Sequence, residues 1–239
     1  MSVSFDAVGP SSAGATATGS PFTWSHTVGA GSDRWLRIDI GVGANPDTGV
    51  TVDSVTFNGT AASFIGRQQS NNQTLGFIES WGLVAPDPGT HTVSVALTIP
   101  GGTSTLEGGS VSYAGVDQTT PYRNLTTAAG SSSLASVTVS SAAGNMASAT
   151  VCGGSSLGAS NQTSRWLRNV NTLSGAGNAA TADAAGASSV TLTRVVASDW
   201  WGTIGLDVVA SSGGGGTVGR LVGGTLCGGV LVGGLLTGL

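Results

Sequence analysis

Lysine is absent from this 239-residue chain, and glutamate occurs only at Glu79 and Glu107. Charged residues make up 8% of it, and all eight basic ones are arginine. The commonest charged helix formers are therefore nearly missing, which excludes a fold built on amphipathic helices with salt-bridged faces. A net charge of −4 with scattered arginines excludes a nucleic-acid surface, which needs concentrated positive charge. Two cysteines, Cys152 and Cys227, are too few for a disulfide framework or a thiolate zinc site. Both read as small buried hydrophobes, with a single Cys152–Cys227 bridge as the one pairing open to them. No DxDxDG loop and no His/Cys cluster calls for calcium or zinc, so no metal or cofactor is expected. The opening SVSFDAVGP has neither the basic start nor the apolar run of an export signal.

Glycine, serine, threonine and valine fill the space left by charge, and apolar residues alternate with polar ones at period two. FTWSHTV (22–28), RWLRIDIGV (34–42), VTVDSVTF (50–57), TLGFIESWGLV (74–84) and HTVSVALTI (91–99) each read as a strand. GGSVSYAGV (108–116), ASVTVS (135–140), MASATVC (146–152), SVTLTRVV (189–196) and WWGTIGLDVVA (200–210) continue the series. NPDTG (45–49), FNGT (57–60) and APDPGTH (85–91) separate them, and Asn58-Gly59 is the strongest hairpin signal. Short strands at this spacing predict an all-β fold, an antiparallel two-sheet sandwich of jelly-roll type. The domain occupies residues 1–210, followed by a Gly-rich hinge (211–219) and a Leu/Gly tail (220–239). Trp35, Leu36, Ile38 and Ile40 form one inward set; Val93, Val95 and Leu97 a second; Ile204, Leu206 and Val208 a third. Arg37 and Asp39 are expected at solvent or a sheet rim. Residues 153–188 read as long loops around one anchored segment, SRWLRNV.

Candidate chemistry is sparse. Ser25-His26 with a nearby aspartate would resemble a hydrolytic triad, but no strand-turn-helix elbow accompanies it. Asp39 and Glu79, flanked by Trp35 and Trp81, are the one carboxylate pair worth testing for glycoside hydrolysis, although Glu79 is expected to point outward. Asp47 and Asp87 read as turn formers. Exposed tryptophans among Trp24, Trp35, Trp81, Trp166, Trp200 and Trp201 would stack sugars, whereas Trp35 and Trp81 lie in apolar strands and read as core. Trp200 and Trp201 are adjacent, so as strand residues they face opposite ways and one must leave the core. A subunit interface is the preferred place for it.

The run LVGGTLCGGVLVGGLLTGL (221–239) places leucine at Leu221, Leu226, Leu231 and Leu236. A period of five gives a strand no apolar face and turns a helix by about 140° per step. Seven of these nineteen residues are glycine, which disfavours a membrane helix. The run resembles a Gly-rich pentapeptide repeat, a solenoid that needs several stacked coils before it is stable. One copy cannot bury its own leucines, so the four leucines, with Trp200 and Trp201, are the candidate assembly interface.

GSVSYAGVDQTTPYR (109–123), APDPGTHTVSVAL (85–97), SAAGNM (141–146) and FDAVGPSSAGATATGSPFTWSHTV (5–28) together resemble a β-sandwich module of bacteriophage virion proteins and large bacterial surface proteins. The likeness spans about residues 3–210. It implies a fold and a setting, with no catalytic residues to carry over. The expectation is a non-enzymatic structural protein of a phage particle, located in the virion after synthesis in the host cytoplasm. It would sit on capsid or tail as a decoration, fibre or spike. Its partners would be itself, as a homo-oligomer such as a trimer, other virion proteins and host-surface glycans. The alternative is a carbohydrate-binding surface module; a glycoside hydrolase-like enzyme stands third.

Overall fold

The structure, a computed structural model, describes residues 1–43, 49–74, 76–100, 104–170 and 177–212. In chain order the strands are β1 (Ser4–Gly9), β2 (Ala15–Ala17), β3 (Phe22–Val28), β4 (Trp35–Gly43), β5 (Thr51–Phe57), β6 (Thr60–Ala61), β7 (Ser63–Gln69) and β8 (Gly76–Val84). Then come β9 (Gly89–Thr98), β10 (Thr105–Ala114), β11 (Tyr122–Val139), β12 (Met146–Gly153), β13 (Leu157–Ser160), β14 (Thr163–Asn169), β15 (Asn178–Ala185) and β16 (Val190–Val208). Among the described residues there is no α-helix. The expected antiparallel all-β sandwich forms, but with three stacked sheets in place of the expected two. A central sheet runs β1-β10-β4-β8-β7, with β2 beside β10. A front sheet runs β3-β9-β5-β6, and a back sheet runs β11-β16-β12-β15-β14, with β13 beside β16.

The strand sequences explain which sheet lies where. In β3 burial alternates residue by residue, with Phe22, Trp24, His26 and Val28 inward and Thr23, Ser25 and Thr27 outward, as suits a sheet with one wet face. All nine residues of β4 are buried, because the central sheet is covered on both sides. Its even positions Leu36, Ile38 and Ile40 pack with Phe22, Trp24, Val93 and Val95 of the front sheet. Its neighbours on the other face, Trp35, Ile78, Val111 and Tyr113, pack with Trp166, Ile204, Leu206 and Val208 of the back sheet. Every residue of the inward sets read from the sequence is buried, but the first set splits: Leu36, Ile38 and Ile40 enter the front core and Trp35 the back core, on the two sides of one shared wall.

That sharing overturns three expectations. Arg37 and Asp39 do not reach solvent; both are fully buried, since their face of β4 lies against the back sheet. Glu79 is likewise buried, opposite Ile40 in the β4–β8 pairing. Residues 153–188 are not mainly loop: β13, β14 and β15 lie there, with SRWLRNV supplying most of β14 and burying Trp166 completely. Trp166 fits because Gly109 faces it; a Cβ there would lie 2.5 Å from the indole ring.

The hairpin at Asn58-Gly59 forms as expected. Both residues have positive φ (51° and 78°), the requirement of a two-residue turn that matches strand twist. The β11–β16 pair is less ordinary. It pairs residue 122 with 208 at one end and 139 with 190 at the other, with a register shift between Ser132 and Leu134. Asn124 Nδ2 donates to Ser140 O at 2.7 Å, so β11 doubles back until its two ends touch. The folded-over half packs Val137, Val139, Val190 and Leu192 onto Ala147 and Ala149 of β12. Gly205 permits that contact; a Cβ there would lie 2.7 Å from Val139 Cγ2.

Candidate functional site

The chemistry-bearing side chains gather between the central and back sheets. Arg37 Nε donates to Asp39 Oδ1 (2.8 Å), Nη1 to Ser148 Oγ (3.1 Å), and Nη2 to Ser80 Oγ (3.0 Å) and Ile204 O (3.2 Å). Asp39 also accepts from Ser80 Oγ (2.6 Å) and Thr181 Oγ1 (2.9 Å). The Tyr113 hydroxyl lies 3.1 Å from Ser148 Oγ and donates to Asp183 (3.0 Å), which is held in turn by Arg165. Burial and the Asp183 charge together push the Tyr113 hydroxyl pKa well up. A buried ion pair of this kind survives only when its remaining donors and acceptors are satisfied, which holds for Arg37 and Asp39, whereas Asp183 Oδ1 has its ion contact with Arg165 and no hydrogen bond.

The hydrolytic arrangements do not assemble. Ser25 points to the outer face of the front sheet while His26 points inward. His26 instead joins a linear chain: Trp24 Nε1 donates to Ser110 Oγ (3.0 Å), and Ser110 bonds His26 Nδ1 (2.9 Å). His26 Nε2 bonds Ser112 Oγ (3.0 Å), and Ser112 donates to Asp6 (2.7 Å). The Ser112 proton is committed to Asp6, so the imidazole gives its Nε2 proton to Ser112 and has no role as its base. Desolvation lowers the His26 pKa to about 4, against a weaker upward pull from Asp6. Asp39 and Glu79 are equally separated: Asp39 faces the back sheet, whereas Glu79, next along from Ser80, lies on the opposite face. Arg67 Nε (2.7 Å) and Trp81 Nε1 (2.9 Å) hold Glu79 there. Two carboxyls on opposite faces of one sheet cannot bracket a glycosidic bond.

Several buried groups lack such partners. Both carboxylate oxygens of Glu107 are enclosed without a hydrogen bond, as are Trp166 Nε1 and Arg168 Nε. Desolvation raises the Glu107 pKa well above the usual range, and Arg168 only partly opposes it. Among the described residues no three His, Cys, Asp or Glu side chains gather to hold a metal ion.

The distinctive sequence phrases prove to be clasps. In GVDQTTP, Asp117 Oδ1 caps the backbone N–H groups of Thr119 (2.9 Å) and Thr120 (2.8 Å), which lowers its pKa. Gln118 Nε2 donates to Val116 O (2.8 Å) and Arg34 O (3.2 Å). The phrase thus carries the chain from the central sheet into the back sheet. In SAAGNM, Ser141 and Asn145 both donate to Asp207, which also pairs with Arg123 at 2.9 Å. Asp207 was not legible as a hub, because these partners lie 62 to 84 residues away. Asp87 bonds Asn58 Nδ2 (2.9 Å), tying two turns together.

The GVDQTTP corner also walls a surface depression of about 490 Å³. Buried Trp35 and Ile65, closing over Gly82, form its floor, half-buried Tyr122 one side, and exposed Ser63, Thr119 and Thr120 its rim. No Asp, Glu, Lys, Arg or His lines it.

The candidate assembly residues divide. Trp201 is buried, its Nε1 donating to Ser132 Oγ (2.9 Å) where β11 folds over, and Trp200 is half-buried. Trp24, Trp35 and Trp166 are buried and Trp81 is half-buried at the rim of the front core. Leu221, Leu226, Leu231 and Leu236 lie outside the described residues, as do Asp47 and Cys227. Cys152 is fully buried, and desolvation pushes its thiol pKa up to about 12. No family model, curated protein or solved structure matches the chain.

Proposed function

We propose that the chain is a structural protein of a virus particle of phage type, displayed on capsid or tail and assembled through its Leu/Gly segment. The observation that carries this reading is the fate of the reactive residues. Arg37, Asp39, Asp183 and Asp207 are bound into networks that join one sheet to another or a turn to a strand, and His26 is neutralised inside a serine chain. Such residues specify and stiffen a body rather than turn over a substrate. The outer face of the front sheet presents mainly threonine and serine around the exposed carboxylate of Asp53, a sparsely charged exterior suited to display. The last described residues ahead of the Leu/Gly segment are pinned beside the GVDQTTP corner and the N-terminus: Ser211 N donates to Gly115 O (2.8 Å), and the Met1 ammonium to Ser211 O (3.2 Å). The sequence resemblance of the two clasp phrases to phage virion modules supplies the setting.

The carbohydrate-binding alternative has fewer stacking surfaces than the tryptophan count suggests, with Trp81 and Trp200 the two half-exposed indoles. Light scattering on the full chain, beside a chain ending at Ser212, tests the assembly reading. A discrete oligomer that becomes a folded monomer on truncation is the expected result. Equal monomeric masses for both would overturn assembly through the Leu/Gly segment.

A further inference from the structure

We infer that the uncharged depression behind the GVDQTTP corner is the dock for the Leu/Gly segment (221–239) of a neighbouring copy. The inference rests on the assembly reading above and names the surface that reading lacks. Three observations converge on it.

Position is the first. Val209 N donates to Pro121 O (3.0 Å) in the wall of the depression, and Val116 bridges Ala210. The chain therefore passes along this wall at residues 209 and 210, shortly before the segment that starts at Leu221. Residues 213–220 add eight residues, an extended reach of about 26 Å. Exit and dock share one pole, so copies meeting at that pole can each place a segment in the other. Such an exchange closes with symmetry and leaves no dock unfilled.

Chemistry is the second. The segment carries no charge and repeats leucine every five residues. The depression has a floor of Trp35 and Ile65, Val84 beside them, and no charged side chain on its lining. A charged peptide would lose hydration there without gaining a partner; a leucine loses nothing. The hydroxyls of Ser63, Thr119 and Thr120 stand at the rim, where the backbone of a glycine-rich segment can use them as hydrogen-bond partners.

Exposed apolar surface is the third. Val84 is 38% exposed beside the depression. Leu125 is 43% exposed and lies against Gly66 of β7; Phe64 of the same strand, 51% exposed, turns to the other face onto Trp81 and takes no part. Apolar side chains grouped around a cavity mark an interaction surface more reliably than isolated ones do.

The segment contains its own probe. Cys227 lies in it, while Cys152 is buried and unreactive. In the full chain, Thr120→Cys sets a thiol on the rim without touching the backbone bond to Asp117, and Ser63→Cys is a second rim position. Ser25→Cys, on the outer face of the front sheet, is the control. Under mild oxidation the rim variants should form an interchain Cys227 disulfide, visible as doubled mass, roughly tenfold faster than the control because docking raises effective concentration. Equal rates at rim and control positions overturn the dock; an oligomer in light scattering would then leave assembly through the segment standing, on another surface. A rim disulfide closed within one chain, with monomeric scattering, overturns the exchange and the assembly reading together.

Discussion

Acid should destabilise this protein through one imidazole, and the size of the effect follows from the serine chain around His26. The unfolded imidazole titrates near 6.5, whereas burial lowers the folded value to about 4. The folded state therefore holds His26 neutral while the unfolded state takes up a proton. Stability linked to His26 is fully present above pH 6.5 and is lost as pH falls from 6.5 through 4. Each unit of separation is worth about 1.4 kcal/mol, so the loss comes to about 3 kcal/mol. Protonation would also force Nδ1 to give up the bond it accepts from Ser110. Urea unfolding of the wild type and His26→Gln across pH 4 to 7 isolates the term, because other titrating groups cancel in the difference. The wild type should be the more stable at pH 7, and the gap should shrink by about 3 kcal/mol by pH 4. The His26 imidazole proton signals, followed directly by NMR, should stay unshifted until well below pH 6. A constant gap, or an imidazole titrating near 6.5, would refute the reasoning.

Glu107 works in the opposite sense: its raised folded pKa means stability declines as pH climbs above about 4.5, the unfolded value, until the folded carboxyl ionises. Glu107→Gln should therefore unfold at a higher urea midpoint than wild type at pH 7 to 8 and lose that advantage near pH 4; a lower midpoint at pH 7 would show that the carboxyl is partnered after all. Arg37→Met should cost roughly 3–5 kcal/mol in urea unfolding, because it leaves Asp39 buried and unpaired. Arg123→Met, at a side chain 48% exposed, should cost much less, although Asp207 is buried; equal losses would mean that burial of the guanidinium is not the deciding factor.

The sequence announced strands wherever one face meets water, because there the polar and apolar positions alternate. It was misleading in β4, where the off-phase positions hold Arg37, Asp39 and two glycines. Those residues look solvent-facing until a second layer covers them. The same layer made β15, NAATADAA, unreadable: alanine and threonine carry little alternation, and small residues are what a tightly covered strand requires. The first half of β11 was missed for a similar reason, since TTAAGSSS offers no large apolar residue. The candidate pair Asp39 and Glu79 failed on a fact no local pattern contains, namely which face of a doubly covered sheet each residue meets. His26 was visible only as a residue type. Its partners Ser110 and Ser112 lie 84 and 86 residues away in sequence, and Asp6, which closes the chain, lies 106 residues from Ser112.

A wall shared by two cores also sets how the molecule can open. In β4, Leu36, Ile38 and Ile40 belong to one core and Trp35, Arg37 and Asp39 to the other, so neither can loosen without disturbing the strand that serves both. Amide protons of β4, β8 and β10 should therefore exchange with solvent deuterium only through global unfolding, at a common rate. Those of the folded-over tip, 134–139 and 190–195, need only a local lifting to exchange. The layering thus gives the protein a graded lifetime, with an inner sheet that opens last and a back flap that opens first.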